Sequence, residues 1–405
     1  MIWSIAWRNI WRNKIRSTIV LVAITIGLFA GVFSTGFYKG MADMRVESGI
    51  KTEVSHIQIH KPDFMLNNEI SLYFDSSNQI VSRINEMESV IASSRRIEAE
   101  CFFKTAHGTR GVRIVGVEPD REKKVTDIFE QMVEGDYLAG DHRIPRILVG
   151  KTLGEKLKLK IGSKIPVDMV DMNGNFSSKL YKIGGFFETT NKGFDERTVF
   201  VRFDQLQQQL NLPDNAAHEI AIYLQNDANI DIVQGKLQEK FPQLDVKNWR
   251  QIGKELALVT DSMDQYMYIF VIIILLALCF GIINTMLMVV LERTKELGML
   301  MAVGMHRAKV FLMIILESIF LSLSGGILGI IIGYGVIKYF EDTPIVLDIF
   351  KGFEHYGYSS KVYTNLPPEM ALNIAGLVFI IGIISALYPA WKAIRLDPAD
   401  AIRTD

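Results

Sequence analysis

Residue types that could carry chemistry are present but do not converge. The closest external histidines, His56 and His60, stand at strand spacing on one face with no third ligand nearby in sequence, short of the four-coordinate shell of a structural zinc. No G-x-x-x-x-G-K-S/T phosphate loop occurs, so the chain is not expected to bind and hydrolyse ATP by that route. H-E-x-x-H and G-x-S-x-G are absent as well. Cys101 falls in the stretch expected to lie outside the membrane and Cys279 in an apolar run long enough to cross it, which argues against a disulfide between them. The expectation is a chain with no catalytic residues, no metal and no cofactor of its own.

Charge in unusual places is more informative. Glu292, Arg293, Thr294, Lys295 and Glu296 form a charged turn that continues into Leu297, Leu300 and Met301 at helical spacing, with Gly304 placed to cap the end. A short helix of this kind can dock into a groove on a cytoplasmic partner. Glu317 is a single charge in an otherwise apolar run, where an unpaired carboxylate is costly, so it is expected to hydrogen-bond another span. Gly325, Gly329 and Gly333 recur at four-residue spacing, and Gly27 with Gly31 makes a shorter version, marking faces where helix backbones approach closely. Phe270, Phe280 and Met286 are candidates to line an acyl-chain cavity in a dimer; lipid contact or span packing explains them equally well.

Long helices must position these residues. With 405 residues, 49% of them hydrophobic and only 22% charged, the chain is more apolar than an ordinary soluble protein. A hydrocarbon layer of about 30 Å needs about 20 helical residues. Residues 18–38, 266–291 and 370–391 qualify, and residues 310–337 qualify apart from Glu317. The first run is too long for the apolar region of a secretory signal and lacks a clear small-residue cleavage site, so it is read as an uncleaved anchor. Short loops rich in Lys and Arg stay in the cytoplasm: Arg8, Arg12, Lys14 and Arg16; Arg293, Lys295, Arg307 and Lys309; Lys392, Arg395 and Arg403. Both termini are therefore cytoplasmic, while the large insert and the loop carrying Lys351 and Lys361 lie outside.

The expected divisions are an amphipathic elbow helix (1–17), the first span (18–38), an external domain (39–265), the second span (266–291), a cytoplasmic loop helix (292–309), the third span (310–337), an external loop (338–369), the fourth span (370–391) and a cytoplasmic tail (392–405). In the elbow, Trp3, Trp7, Ile10, Trp11 and Ile15 form one stripe and Arg8, Arg12 and Arg16 another, as in a helix lying flat on the inner leaflet. The external domain reads as α/β with two subdomains, the second inserted into the first. Strand, helix and strand follow at 55–60, 79–88 and 97–104, and again at 219–224, 230–241 and 244–249. Between them come a strand ending at 112–117, a helix near 125–132 and a hairpin whose tip, Met172, Asn173, Gly174 and Asn175, could touch a partner. Residues 251–265 read as helix running directly into the second span, a stiff lever.

These stretches resemble a known family. The run 292–304, E-R-T-K-E-L-G-M-L-M-A-V-G, is similar to the cytoplasmic signature of the permeases related to MacB, FtsX and the lipoprotein-releasing pair LolC and LolE. The tail 388–401, Y-P-A-W-K-A-I-R-L-D-P-A-D-A, resembles their closing motif, and W-R-N-I-W-R-N-K-I-R-S at 7–17 with the one-plus-three span layout extends the likeness over essentially the whole chain. Gly116, Val117, Glu118 and Pro119, then Val149, Gly150, Lys151 and 157–162, look more like LolC and LolE than FtsX.

The resemblance implies the permease subunit of an inner-membrane ABC transporter, paired with a second permease subunit as a homo- or heterodimer. ATP and Mg would sit on a separate cytoplasmic ATPase docked through Glu292, Arg293, Glu296, Leu297, Leu300, Met301 and Gly304. Force would pass to the periplasmic domain, most simply to release a lipoprotein to a periplasmic carrier. In LolC the corresponding hairpin is a carrier hook bounded by prolines; residues 168–182 here contain none. Two other readings remain open, a MacB-like efflux or export permease and an FtsX-like regulator of an external enzyme. The net charge of −1 gives no sign of nucleic acid.

Overall fold

The computed structural model describes residues 2–12, 14–106, 108–138, 140, 142–347 and 357–395. Lys351 and the tail from residue 396, including Arg403 and the second half of the closing motif, lie outside the described residues. The chain forms two compact units, one helical and one α/β, the latter built on Asp43–Thr260.

Among the described residues four helices are long and apolar enough to cross a membrane. They are Lys14–Gly49, Lys254–Glu292, Arg307–Asp342 and Pro368–Ile394. The first has 36 residues and the second 39, so at about 1.5 Å per residue each exceeds the ~30 Å of hydrocarbon by roughly 20 Å or more. The expected boundaries move accordingly. The elbow helix is Ile2–Arg12, and Lys14 and Ile15 already belong to the first long helix. The stiff lever starts at Lys254 rather than residue 251: a separate turn, Trp249–Ile252, is fixed by a capping box between Asn248 and Gln251 and stops at Gly253.

Glycine decides how closely the helices approach. A Cβ added at Gly325, Gly329 or Gly333 would stand within 2.8–2.9 Å of Ile24, Leu28 or Val32, which follow each other one turn apart on the first long helix. The third long helix therefore presents a flat face to that ridge, and Thr25 Oγ1 donates to the Gly325 carbonyl at 3.2 Å. On its other side the first helix meets the second: a Cβ at Gly27 would lie 2.6 Å from Leu278, but one at Gly31 would make ordinary contact with Ile274 at 3.7 Å. Of that pair, only Gly27 is tight, and there a Cβ would have to displace the Leu278 side chain.

The α/β unit carries ten strands in one sheet: β1 (Ile57–His60), β2 (Val90–Thr105), β3 (Gly108–Val117), β4 (Met132–Gly135), β5 (Arg146–Gly150), β6 (Lys164–Val170), β7 (Phe176–Phe187), β8 (Thr198–Arg202), β9 (Glu219–Leu224) and β10 (Asp245–Asn248). The two expected strand–helix–strand units interleave: β1 pairs with β9 and β10, and β9 with β1 and β2, all antiparallel. Helices Ser77–Asn85 and Ile230–Lys240 bury Ile80, Val81 and Ile84 and Ile230, Val233 and Leu237 in the same core. The inserted subdomain is a closed ring. β2 pairs with β3, β3 with β8, β8 with β5, β5 with β7, β7 with β6 and β6 again with β2.

Closure leaves no free edge on that path. Phe103, Ile114, Val149, Val167, Tyr181 and Val199 are buried in the core it contributes to. Strand β2 serves both subdomains, its first half pairing with β9 and its second with β3. The helix expected near 125–132 is not formed. A single turn, Pro119–Glu122, is followed by irregular chain in which Val125 and Ile128 are buried in two different apolar clusters. Asp127 N donates to the Lys51 carbonyl, a partner outside any local helix. The apolar spacing there reflects two separate anchors rather than one helical face.

Candidate functional site

The loop between the second and third long helices is where charge and apolar surface meet. The helix ending at Glu292 and the loop helix Thr294–Ala302 are separated by one non-helical residue, Arg293, at φ −99°, ψ 17°. The loop helix ends ahead of Gly304, which takes φ +99°, a conformation open to glycine at little cost.

Arg293 faces inward. Its Nη1 donates to both carboxylate oxygens of Glu317, at 3.2 and 3.4 Å, and its Nε donates to Glu296 at 3.0 Å. Asn9 of the elbow helix donates from Nδ2 to Glu317 Oε1 at 2.6 Å, and Arg12, one turn on, pairs with Glu296. Glu317 thus finds its partners on the elbow helix and at the helix break, not on another span. The sequence suggested neither, because Asn9 and Arg293 are both remote from it in the chain. Hydrogen bonding from Arg12 first, then Arg293, holds the Glu296 carboxyl below its ordinary range.

The elbow stripe divides in two. Ala6 and Ile10 are buried against the bundle, and the Trp3 and Trp7 rings meet Phe320 edge-on, at centroid distances of 5.9 and 5.6 Å. Packing on the third long helix, together with the Asn9 hydrogen bond, fixes this helix to protein on one side.

The loop helix also turns differently from the expected stripe. Leu297 is 2% exposed and belongs to the bundle core, with Leu300 and Met301 packed partly against it. Leu297 is therefore not available to a docking partner. The outward side carries Glu292, Lys295, Met299, Ala302 and Val303, with Met299 60% and Val303 85% exposed. Spacing from Lys295 to Met299 to Val303 is one turn each, a pattern legible in the sequence but masked by the more apolar stripe beside it.

Phe270, Phe280 and Met286 do not share a surface. Met286 is buried in the bundle, Phe270 stacks on Tyr38 at 5.5 Å, and Phe280 is 70% exposed on another side. An apolar groove of about 830 Å³ lies instead between the first two long helices, lined by Ile19, Ala23 and Gly27 on one side and by Ile274, Leu278 and Gly281 on the other.

In the α/β unit, the hairpin tip is less free than expected. Asp171 accepts from the Asn173 and Asn175 amides and from Asn211 Nδ2 at 2.7 Å, while Met172 N donates to the Leu210 carbonyl. Asn173, Gly174 and Asn175 remain exposed; Met172 packs partly on the core. Beside the tip, Phe102, Val170, Phe176 and Leu180 share one outer sheet face and are all exposed, set around the Lys104–Asp168 ion pair at 2.8 Å, a mixed surface the sequence does not reveal. Alternation alone marks these positions as outward but not as neighbours across three strands.

His56 and His60 also part company. His56 bonds Asp227, whereas His60 is buried beside His218, with the Phe64 ring stacked between the two imidazoles. Burial lowers the pKa of both His60 and His218. Among the described residues no cluster of three or more His, Cys, Asp or Glu side chains is placed to hold a metal.

Comparison with known proteins gives two family matches. A model for the FtsX-like permease C-terminal region matches residues 268–398, and one for the MacB-like periplasmic core domain matches residues 17–240. The lipoprotein-releasing system transmembrane protein LolC of Haemophilus influenzae is 21% identical over 319 residues, covering 75% of this chain and 75% of that protein. LolC of Neisseria meningitidis is 21% identical over 341 residues, 78% of this chain and 79% of its own length. The macrolide export ATP-binding/permease protein MacB of Syntrophobacter fumaroxidans is 30% identical over 162 residues, 39% of this chain, and the match spans only 20% of that protein.

Proposed function

We propose, for a chain that belongs to the family of permeases joining a MacB-like periplasmic core domain to an FtsX-like permease C-terminal region, that it is the membrane subunit of an ABC transporter driven by an ATPase on another chain. The observation that carries this reading is the loop helix. It offers Met299 and Val303 outward on an otherwise charged loop, and its base is braced by Arg293 and Glu317. Exposed apolar residues rimmed by charge are the usual mark of a docking surface. The likeness to LolC, printed as a transmembrane protein of its system, supports placing the ATP and Mg chemistry on a partner chain.

The output of the cycle is lipoprotein release from the membrane that holds the four helices, with those helices in the bacterial inner membrane and both termini in the cytoplasm. The match to LolC over about three quarters of both chains supports this substrate class. A second permease subunit completes the assembly, and the exposed aromatic and aliphatic residues Phe102, Val170 and Phe176 around the Lys104–Asp168 pair are a surface for a lipoprotein or its carrier. Macrolide-type export is the second reading, supported by a MacB of Bdellovibrio bacteriovorus that is 26% identical over 82% of this chain and 50% of that protein. Depletion separates them. Acylated lipoproteins should accumulate in the inner membrane under the first reading, and normal lipoprotein sorting with lost drug export would overturn it in favour of the second.

A further inference from the structure

One carboxylate joins three elements of the helical unit. Glu317, 4% exposed, accepts from Asn9 on the elbow helix and from Arg293 at the break before the loop helix, while its own backbone lies in the third long helix. We infer that Glu317 is a positioning residue for energy coupling: it holds the loop helix and the elbow helix in register with the third long helix, so that a push on the loop helix moves all three together. This inference rests on the ATPase-docking reading above.

The backbone route is continuous. From the loop helix into the second long helix the chain passes through Arg293, whose dihedrals leave the helical region while its N–H still donates to the Val289 carbonyl and its carbonyl accepts from Leu297 N. The side-chain route adds the elbow helix and the third long helix. Arg293 and Glu317 side chains are 16% and 5% exposed, so their attraction is little screened. Arg12 and Glu296, at 56% and 44%, form a solvated pair of the kind that contributes little. The elbow helix is therefore tied in chiefly through Asn9 to Glu317, one turn before Arg12.

Removing either member of a buried pair leaves the other charge uncompensated, and because such a pair is weak evidence of net stability, register is the role assigned to this one. The elbow helix precedes the first long helix, so a displacement received at Glu317 also has a path into that helix. On the outward side of the loop helix Met299 and Val303 are exposed.

The test uses the full chain with its ATPase in lipid nanodiscs, spin-labelled at Lys295 on the loop helix and Arg8 on the elbow helix, with Glu317→Gln, Arg293→Gln, the exchange Glu317→Arg with Arg293→Glu, and Val303→Asp. Wild type should give one narrow distance distribution, retained with ATP and vanadate. Glu317→Gln and Arg293→Gln should broaden it in the permease alone, keep ATPase association, and lower cargo release per ATP at least about fivefold, the low end of typical coupling factors. The exchange should recover both the distribution and the yield per ATP, a rescue that a purely packing role would not produce. Wild-type distributions and coupling in both Gln variants would overturn the inference. Val303→Asp tests the docking reading alone: if the ATPase stays bound, that reading fails, while the distance measurement in the permease alone still decides the role of Glu317.

Discussion

Arg96 and Glu219 face each other as register partners on β2 and β9, and Arg96 Nη1 donates to Glu219 Oε1 at 2.7 Å with both side chains buried. The same guanidinium donates from Nη2 to Glu122 at 2.6 Å, where Glu122 is fully buried. One arginine therefore pins the turn after β3 and the β2–β9 pairing at the point where β2 passes from one subdomain to the other.

Arg96→Met leaves two buried carboxylates without their cation, whereas Glu219→Gln leaves Arg96 still paired with Glu122. The arginine variant should lose about 3–5 kcal/mol and the glutamate variant distinctly less. Thermal unfolding of the full chain in detergent, followed by hydrogen exchange in β2 and β9, checks the order; equal losses would contradict the shared-cation geometry.

His60 gives a pH dependence. Burial first, against the pull of Glu98, lowers its pKa from 6.5 to about 4, and burial lowers that of His218 as well. A depressed folded-state value means that the unfolded chain binds the proton more readily, so this contribution is complete above pH 6.5 and is lost as pH falls towards 4. Each pH unit in that window removes up to about 1.4 kcal/mol. Hydrogen exchange in β1 and β9 should accelerate over that interval, and His60→Gln should flatten the slope even if it lowers the plateau.

Gly329 and Gly335 make a matched pair on the third long helix. A Cβ at Gly329 would lie 2.8 Å from Leu28 Cβ and from the Thr25 carbonyl, while at Gly335 it would meet nothing within 4 Å. Gly329→Ala should cost about 1–3 kcal/mol through forced separation of the helices. Gly335→Ala should be neutral or slightly stabilising. Melting temperatures in one detergent compare them, and similar shifts would argue against the close approach.

Leu297 and Val303 separate packing from docking on one loop. Leu297→Ala empties a buried site and should lower stability by about 2–5 kcal/mol. Val303→Asp and Met299→Asp sit on exposed positions and should leave stability within about 0.5 kcal/mol while abolishing ATPase co-purification. Loss of stability in the Asp variants would mean that the outward face is a packed one.

Local pattern alone carried the four apolar helices, the two outer strand–helix–strand units of the external domain, the hairpin at β6 and β7, and the glycine face at 325, 329 and 333, because each is written in local periodicity or in the length of an apolar run. It marked Glu317 as a residue needing a partner. Tertiary structure decided the rest: that Asn9 and Arg293 are the partners, that Leu297 points in while Val303 points out, that β2 closes a ring through β6, and that Phe102 and Phe176 share a face. Hydrogen-bond partners hundreds of residues apart, strand register and the rotation of a short helix depend on which surfaces meet in space, and no local pattern encodes that.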